Sequence, residues 1–175
     1  MKVHCISDTH NKHEEIDLPG GDLLIHSGDI MSSDNPSELL QFLMWFESQL
    51  YTTKLFIAGN HDHLLEQKPE LIEKILKLFP SIIYLQDSEV TIDHIKFYGA
   101  PWIPTNRSGK AFSYLRTDHA IADSNWAKIP DDTDVLITHG PAYNKLDKIM
   151  RPIRKDQTKL NLGCPELGER IKDVN

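Results

Sequence analysis

Cysteine is scarce in this 175-residue chain, which has only Cys5 and Cys164. Two thiols so far apart make no disulfide framework, so both are expected to be reduced, as in a cytoplasmic protein. Long apolar runs are missing too. The longest candidate, Leu39 to Phe46, is broken by Gln41 and falls far short of the roughly 18 apolar residues that span a bilayer. The opening MKVHCISDTH turns polar too early to read as a signal peptide. No membrane partner is expected. Positive charge is in deficit, with 19 Lys and Arg against 26 Asp and Glu and a net charge of −7. That balance argues against a nucleic-acid partner. It leaves room for a small phosphorylated substrate, because bound cations would reverse the local potential. There is no repeat, low-complexity tract or linker. With 39% hydrophobic and 26% charged residues, the chain reads as one globular domain, 1–175.

The chain alternates short apolar runs with helical patterns. Val3–Ser7, Asp22–His26, Lys54–Ala58 and Asp134–Thr138 are runs expected to be strands covered on both faces. Asn35-Pro36-Ser37-Glu38 is a helix start, predicting a helix to about Leu50 that buries Leu39, Leu43, Phe46 and Leu50. Pro69 opens a second helix with Leu71, Ile72, Ile75, Leu76 and Phe79 on one face. Further strands are expected at Ile82–Leu85, Glu89–Asp93 and Ile95–Tyr98, the last two joined by a tight turn at Asp93-His94. Ala100–Lys110 reads as a loop, Thr117–Lys128 as a third helix, and Cys164 to about Asp173 as a short terminal one. Such alternation predicts a layered α/β domain.

Each of the four main apolar runs ends in metal-ligand chemistry: Asp8-Thr9-His10, Ser27-Gly28-Asp29, Gly59-Asn60-His61-Asp62 and His139-Gly140-Pro141. Ligands gather beyond the carboxyl ends of strands in such sheets, so Asp8, His10, Asp29, Asn60 and His139 should converge. Oxygen and imidazole donors without cysteine suit manganese, iron or zinc. Two dications close together need a bridging carboxylate, for which Asp29 is the best candidate, while Asn60 adds a neutral oxygen. Such a pair would activate a water as hydroxide. His61 is not needed as a ligand and could protonate a leaving alkoxide, with Asp62 orienting its imidazole. Asp-x-His, Ser-Gly-Asp or a lone histidine makes an ordinary turn or cap. Gly-Asn-His-Asp is an uncommon way to make one, and the succession of all four is hard to explain that way. Trp102 and Arg107 are candidates to line the substrate cleft, Arg107 as a phosphate clamp; a core tryptophan and a surface arginine are the plain alternative. His26 is expected to flank the site. His13 and His63 are more simply solvated loop residues, and His4, His94 and His119 structural ones. Cys5 reads as a small buried residue, and the basic stretch from Lys145 to Lys159 as a solvated loop, with a groove for an anionic substrate as the alternative.

Ser7–His10, Gly28-Asp29, Gly59–Asp62 and Thr138–Pro141 resemble the successive motifs of the calcineurin-like metallophosphoesterases. Tyr98–Trp102 and Gly163–Leu167 further resemble a small subgroup associated with cyclic-nucleotide phosphodiesterase activity. The resemblance implies a β-sandwich of mixed sheets flanked by helices. It implies a first metal held by Asp8, His10 and Asp29, a second by Asp29, Asn60 and His139, and His61 as the catalytic histidine. The family closes with a Gly-His-x-His motif, yet no histidine follows His139. The domain is therefore expected to stop before its last metal-binding motif and final strands, leaving one ligand per metal missing and a strand edge open to oligomerisation. The rival expectation is a truncated or degenerate domain that binds metal or a partner with little turnover.

Overall fold

The computed structural model describes residues 1–148 and 161–174. Four strands, β1 (Val3–Ile6), β2 (Gly21–His26), β3 (Tyr51–Phe56) and β4 (Ile82–Tyr84), form a parallel sheet in that order. The connection from β2 to β3 carries helix α1 (Pro36–Ser48), and that from β3 to β4 carries α2 (His63–Gln67) and α3 (Pro69–Leu76). A second sheet has the order β5 (Ser88–Ile92), β6 (Ile95–Ala100), β9 (Val135–Thr138). It is mixed, with β5 antiparallel and β9 parallel to β6. Between β6 and β9 come a two-stranded ribbon, β7 (Ile103–Thr105) with β8 (Ser113–Leu115), and helix α4 (His119–Trp126); α5 (Pro165–Arg170) comes after β9.

Alternation along β2 and β3 assigns residues to the two faces of the first sheet. Leu23, Ile25, Leu55 and Ile57 point into the layer shared with Phe97 and Ile137 of the second sheet. Leu24 and Phe56 point the other way, into a cluster with Leu39, Phe42, Leu43 and Phe46 of α1. The outer face of the second sheet, through Tyr98 and Ala100, meets Trp126 of α4 and Leu167 of α5. The result is helix, sheet, sheet, helix: the layered α/β domain expected from the alternation, arranged as the sandwich that the resemblance implied.

Several local expectations are corrected. Strand β1 is an edge strand, not a buried one. Cys5 is exposed and Val3 is 42% exposed. In register both pair with β2 residues of the inner layer, Leu23 and Ile25. However, the end of β9 meets the end of β2, where His139 bonds the Ser27 carbonyl, and among the described residues no strand lies beyond β9 to cover β1. Leu50 is 84% exposed, because α1 stops at Ser48 and Gln49 turns extended. Leu71, at 38% exposure, sits on the rim of its helix's apolar face, and Phe79 is buried beyond the end of α3. The loop 100–110 contains β7, which pairs with residues further on. The Asp93-His94 turn holds, with both residues at positive φ, 50° and 68°. His13 is buried against Phe42 and Trp45 rather than solvated. Of the basic stretch, Lys145 and Lys148 are exposed; Arg151, Arg154, Lys155 and Lys159 lie outside the described residues.

Candidate active site

The loops leaving β1 and β2 run side by side. Asp8 N–H donates to the Gly28 carbonyl at 2.9 Å, His10 N–H to Asp29 at 3.1 Å, and Asn11 N–H to Ile30 at 2.8 Å. Holding this course puts four non-glycine residues in the left-handed region: Asp8 (φ 55°), His10 (42°), Asn11 (62°) and Asp29 (57°). Backbone strain so concentrated, at the ends of two strands, is characteristic of functional sites. His26, fully buried, ties the two loops together. Its ring bonds Thr9 Oγ1 at 3.0 Å through Nε2, and its Nδ1 accepts from Gly28 N–H at 3.2 Å. Those partners require a neutral ring, and burial accordingly pushes its pKa down to about 3.

The turn after β3 enters the same space. Gly59 has to be glycine, since a Cβ there would lie 2.3 Å from Asp29 N, 2.4 Å from Asp29 Oδ1 and 2.8 Å from His139 Cε1. His61 N–H donates to Asp29 Oδ1 at 2.8 Å. Asp62, fully buried, accepts from the backbone N–H groups of Gly59 (2.7 Å), Ile30 (3.0 Å) and Met31 (3.0 Å). With both oxygens engaged by backbone, it does not orient the His61 imidazole as expected. Instead it fastens the turn carrying Asn60 to the loop carrying Asp29. Burial pushes its carboxyl up to about 6, and the three N–H donors pull the other way.

Around Asp29 the donors converge. Asp8, His10 and Asp29 each bring a ligand atom within 4.8 Å of the others. His10 Nε2 lies 3.5 Å from Asp29 Oδ2, and His139 Nε2 lies 3.4 Å from Oδ1 and 3.3 Å from Asn60 Oδ1. The opposite nitrogens, His10 Nδ1 and His139 Nδ1, face the carbonyls of Met31 (3.2 Å) and Ser27 (2.9 Å). Carbonyls only accept, so both Nδ1 atoms carry a proton, and in the neutral rings the Nε2 lone pairs are aimed at carboxylate and amide oxygens. Acceptors turned on acceptors fit a cation, and backbone carbonyls commonly fix the tautomer of a ligating histidine in this way.

The family model for calcineurin-like phosphoesterases matches residues 1–163. The chain belongs to this family. A Homo sapiens protein named metallophosphoesterase domain-containing protein 1 is 36% identical over 188 residues, covering 96% of this chain and 55% of its own length. A probable rhamnogalacturonate lyase C of Emericella nidulans is 38% identical over 155 residues, covering 84% of this chain and 14% of its own. The chain thus spans about half of the first relative and far less of the second. A solved crystal structure superposes on 99% of this chain and 80% of its own with a TM-score of 0.63; at 13% identity that likeness is one of fold. The chemistry of calcineurin-like phosphoesterases is metal-dependent phosphoester hydrolysis.

Beside the converged donors of this phosphoesterase domain opens a cleft of about 370 Å³, floored by Asp8, Asn60 and His139 and walled by Ile103 to Asn106, Arg116, Pro141 and Leu162. Neither Trp102 nor Arg107 lines it. Trp102 donates to Asp87 at 2.8 Å and packs on Phe112; Arg107 is exposed at the tip of its loop. Sequence reasoning missed Arg116, whose guanidinium bonds the carbonyls of Gly163 (3.0 Å) and Leu162, the latter a wall of the cleft. It also missed the carbonyls of Met31 and Ser27, which no side-chain pattern could announce. His63 opens α2 and is not among the converging donors. Among the described residues, no helix is long and apolar enough to cross a membrane.

Proposed function

We propose that this domain hydrolyses phosphodiesters, of the size of a cyclic nucleotide, at a dinuclear metal site. The carrying observation is that His10 Nε2 and His139 Nε2 approach different oxygens of one carboxylate, Asp29. That arrangement supports one cation held by Asp8, His10 and Asp29 and a second held by Asp29, Asn60 and His139. Divalent ions of the manganese, iron or zinc type would neutralise phosphoryl charge and make hydroxide available near neutral pH.

The chain's own contribution is to position and to protonate. His61 is exposed, its ring 5.0 Å from that of His10 and edge-on to it. Partial loss of solvent lowers its pKa, Asp29 opposes this and Lys110 adds to the lowering. A phosphate anion against the ring favours the protonated form, from which Nε2 can give its proton to the leaving alkoxide. The cleft, apolar at Ile103, Pro104 and Leu162 and polar at Asn106 and Arg116, suits an organic leaving group bearing hydrogen-bonding edges.

The test is a panel with bis-p-nitrophenyl phosphate, p-nitrophenyl phosphate and cyclic nucleotides, each with chelator and with added manganese. The diester and at least one cyclic nucleotide should turn over, only with metal present. Faster monoester hydrolysis would overturn the diester preference. Bound metal without turnover of any member would make this a metal-binding domain and not an enzyme.

A further inference from the structure

A cation that no metal-ligand reasoning uses stands beside His61. Lys110 Nζ lies 2.7 Å from His61 Nε2. An ammonium only donates, so His61 accepts there, at the atom assigned to the leaving group. The next three residues, Ala111 to Ser113, set the position of Lys110. Ala111 and Phe112 are fully buried. Ala111 N–H donates to the carbonyl of Asn60 at 3.1 Å, Phe112 N–H to Glu66 at 2.8 Å, and Ser113 Oγ to the Lys110 carbonyl at 2.7 Å. Lys110 is thus the last exposed residue before a turn pinned to the segment that carries Asn60 and His61. From that pinned base the side chain reaches His61.

We propose that Lys110 is a substrate-contact residue, its ammonium passing from His61 Nε2 to a non-bridging phosphoryl oxygen when the ester binds. It takes the clamp role that the sequence suggested for Arg107. The transfer frees His61 Nε2 for the leaving group and keeps a positive charge beside the phosphate throughout. The proposal rests on the reading of this domain as a phosphoester hydrolase.

Lys110→Met and Lys110→Arg are compared with the unaltered chain, all metal-loaded, using inorganic phosphate as the probe by calorimetry and bis-p-nitrophenyl phosphate for kinetics. Loss of one charge-assisted hydrogen bond should weaken phosphate binding by about 10- to 100-fold and raise KM similarly. Metal content and melting temperature should not change, because the side chain is exposed. Lys110→Arg should restore most of the loss. If Lys110→Met binds phosphate within twofold of the unaltered chain while hydrolysis proceeds, the Lys110 role is overturned and the hydrolysis reading stands. If no ester turns over but phosphate binding still depends on Lys110, the contact stands and the hydrolysis reading falls.

Discussion

Asp62→Ala separates a catalytic from an architectural role for that carboxylate. The substitution strands the buried N–H groups of Gly59, Ile30 and Met31, each costing about 1–3 kcal/mol when unpaired. Against this, the fold no longer has to hold a buried carboxyl whose pKa has been pushed from 3.8 to about 6, a relief of roughly 3 kcal/mol at about 1.4 kcal/mol per unit. The net loss is about 3 kcal/mol, a large share of the roughly 5–15 kcal/mol of a typical domain. For a domain of this size that lowers the melting temperature by about 6–12 °C. The assay is thermal and urea unfolding in chelator, so that metal binding does not mask the change, with metal content measured separately. Both the Asp29 loop and the Asn60 turn lose their fastening, so metal affinity should fall as well. A variant that melts within about 1 °C of the parent, retains its metal and loses only turnover would refute this reasoning and return Asp62 to the role of orienting His61.

Gly59→Ala, which drives a Cβ to 2.4 Å from Asp29 Oδ1, should abolish high-affinity metal binding while the domain still folds; unchanged metal content would mean the turn can shift freely. His61→Ala should keep its metal and lose about 10²–10⁴-fold in rate on esters with poor leaving groups, less with p-nitrophenolate; loss of the metal instead would make His61 a ligand. His26 gives a pH dependence. Its folded pKa of about 3 lies below the ordinary 6.5, so the folded state binds fewer protons. Its stabilising contribution is therefore full above about pH 6.5 and is lost as pH falls toward 3, the loss amounting to about 2 kcal/mol at pH 5. Urea midpoints from pH 7.5 to 5 should fall more steeply for the parent than for His26→Gln, and parallel slopes would contradict the buried neutral ring.

What could be read from the sequence was set by local rules. The run-then-ligand pattern located the ends of β1, β2, β3 and β9, because parallel strands packed on a core need apolar residues and leave their polar residues at the termini. It did not show that β1 and β9 stand at sheet edges. The Asn35 cap started α1 as expected, its side chain accepting from Ser37 N–H at 3.0 Å. Failures came where partners distant in sequence decide. Cys5 has an apolar neighbourhood in sequence, but exposure at β1 depends on which strand lies opposite. Asp62 comes directly after His61, which suggested a pair, yet backbone donors from a loop some thirty residues earlier capture it. Trp102 and Arg107 were chosen for residue type, whereas Arg116 and Lys110 owe their places to the β7–β8 ribbon, a pairing with no strong signal in the sequence.

The central claim is that two cations share Asp29. Metal equivalents per chain, by elemental analysis after equilibration with manganese, should be two for the parent, one for His139→Ala and fewer than one for Asp29→Ala, all three remaining folded. A single equivalent in the parent, or equal small losses at Asp29 and His139, would contradict it.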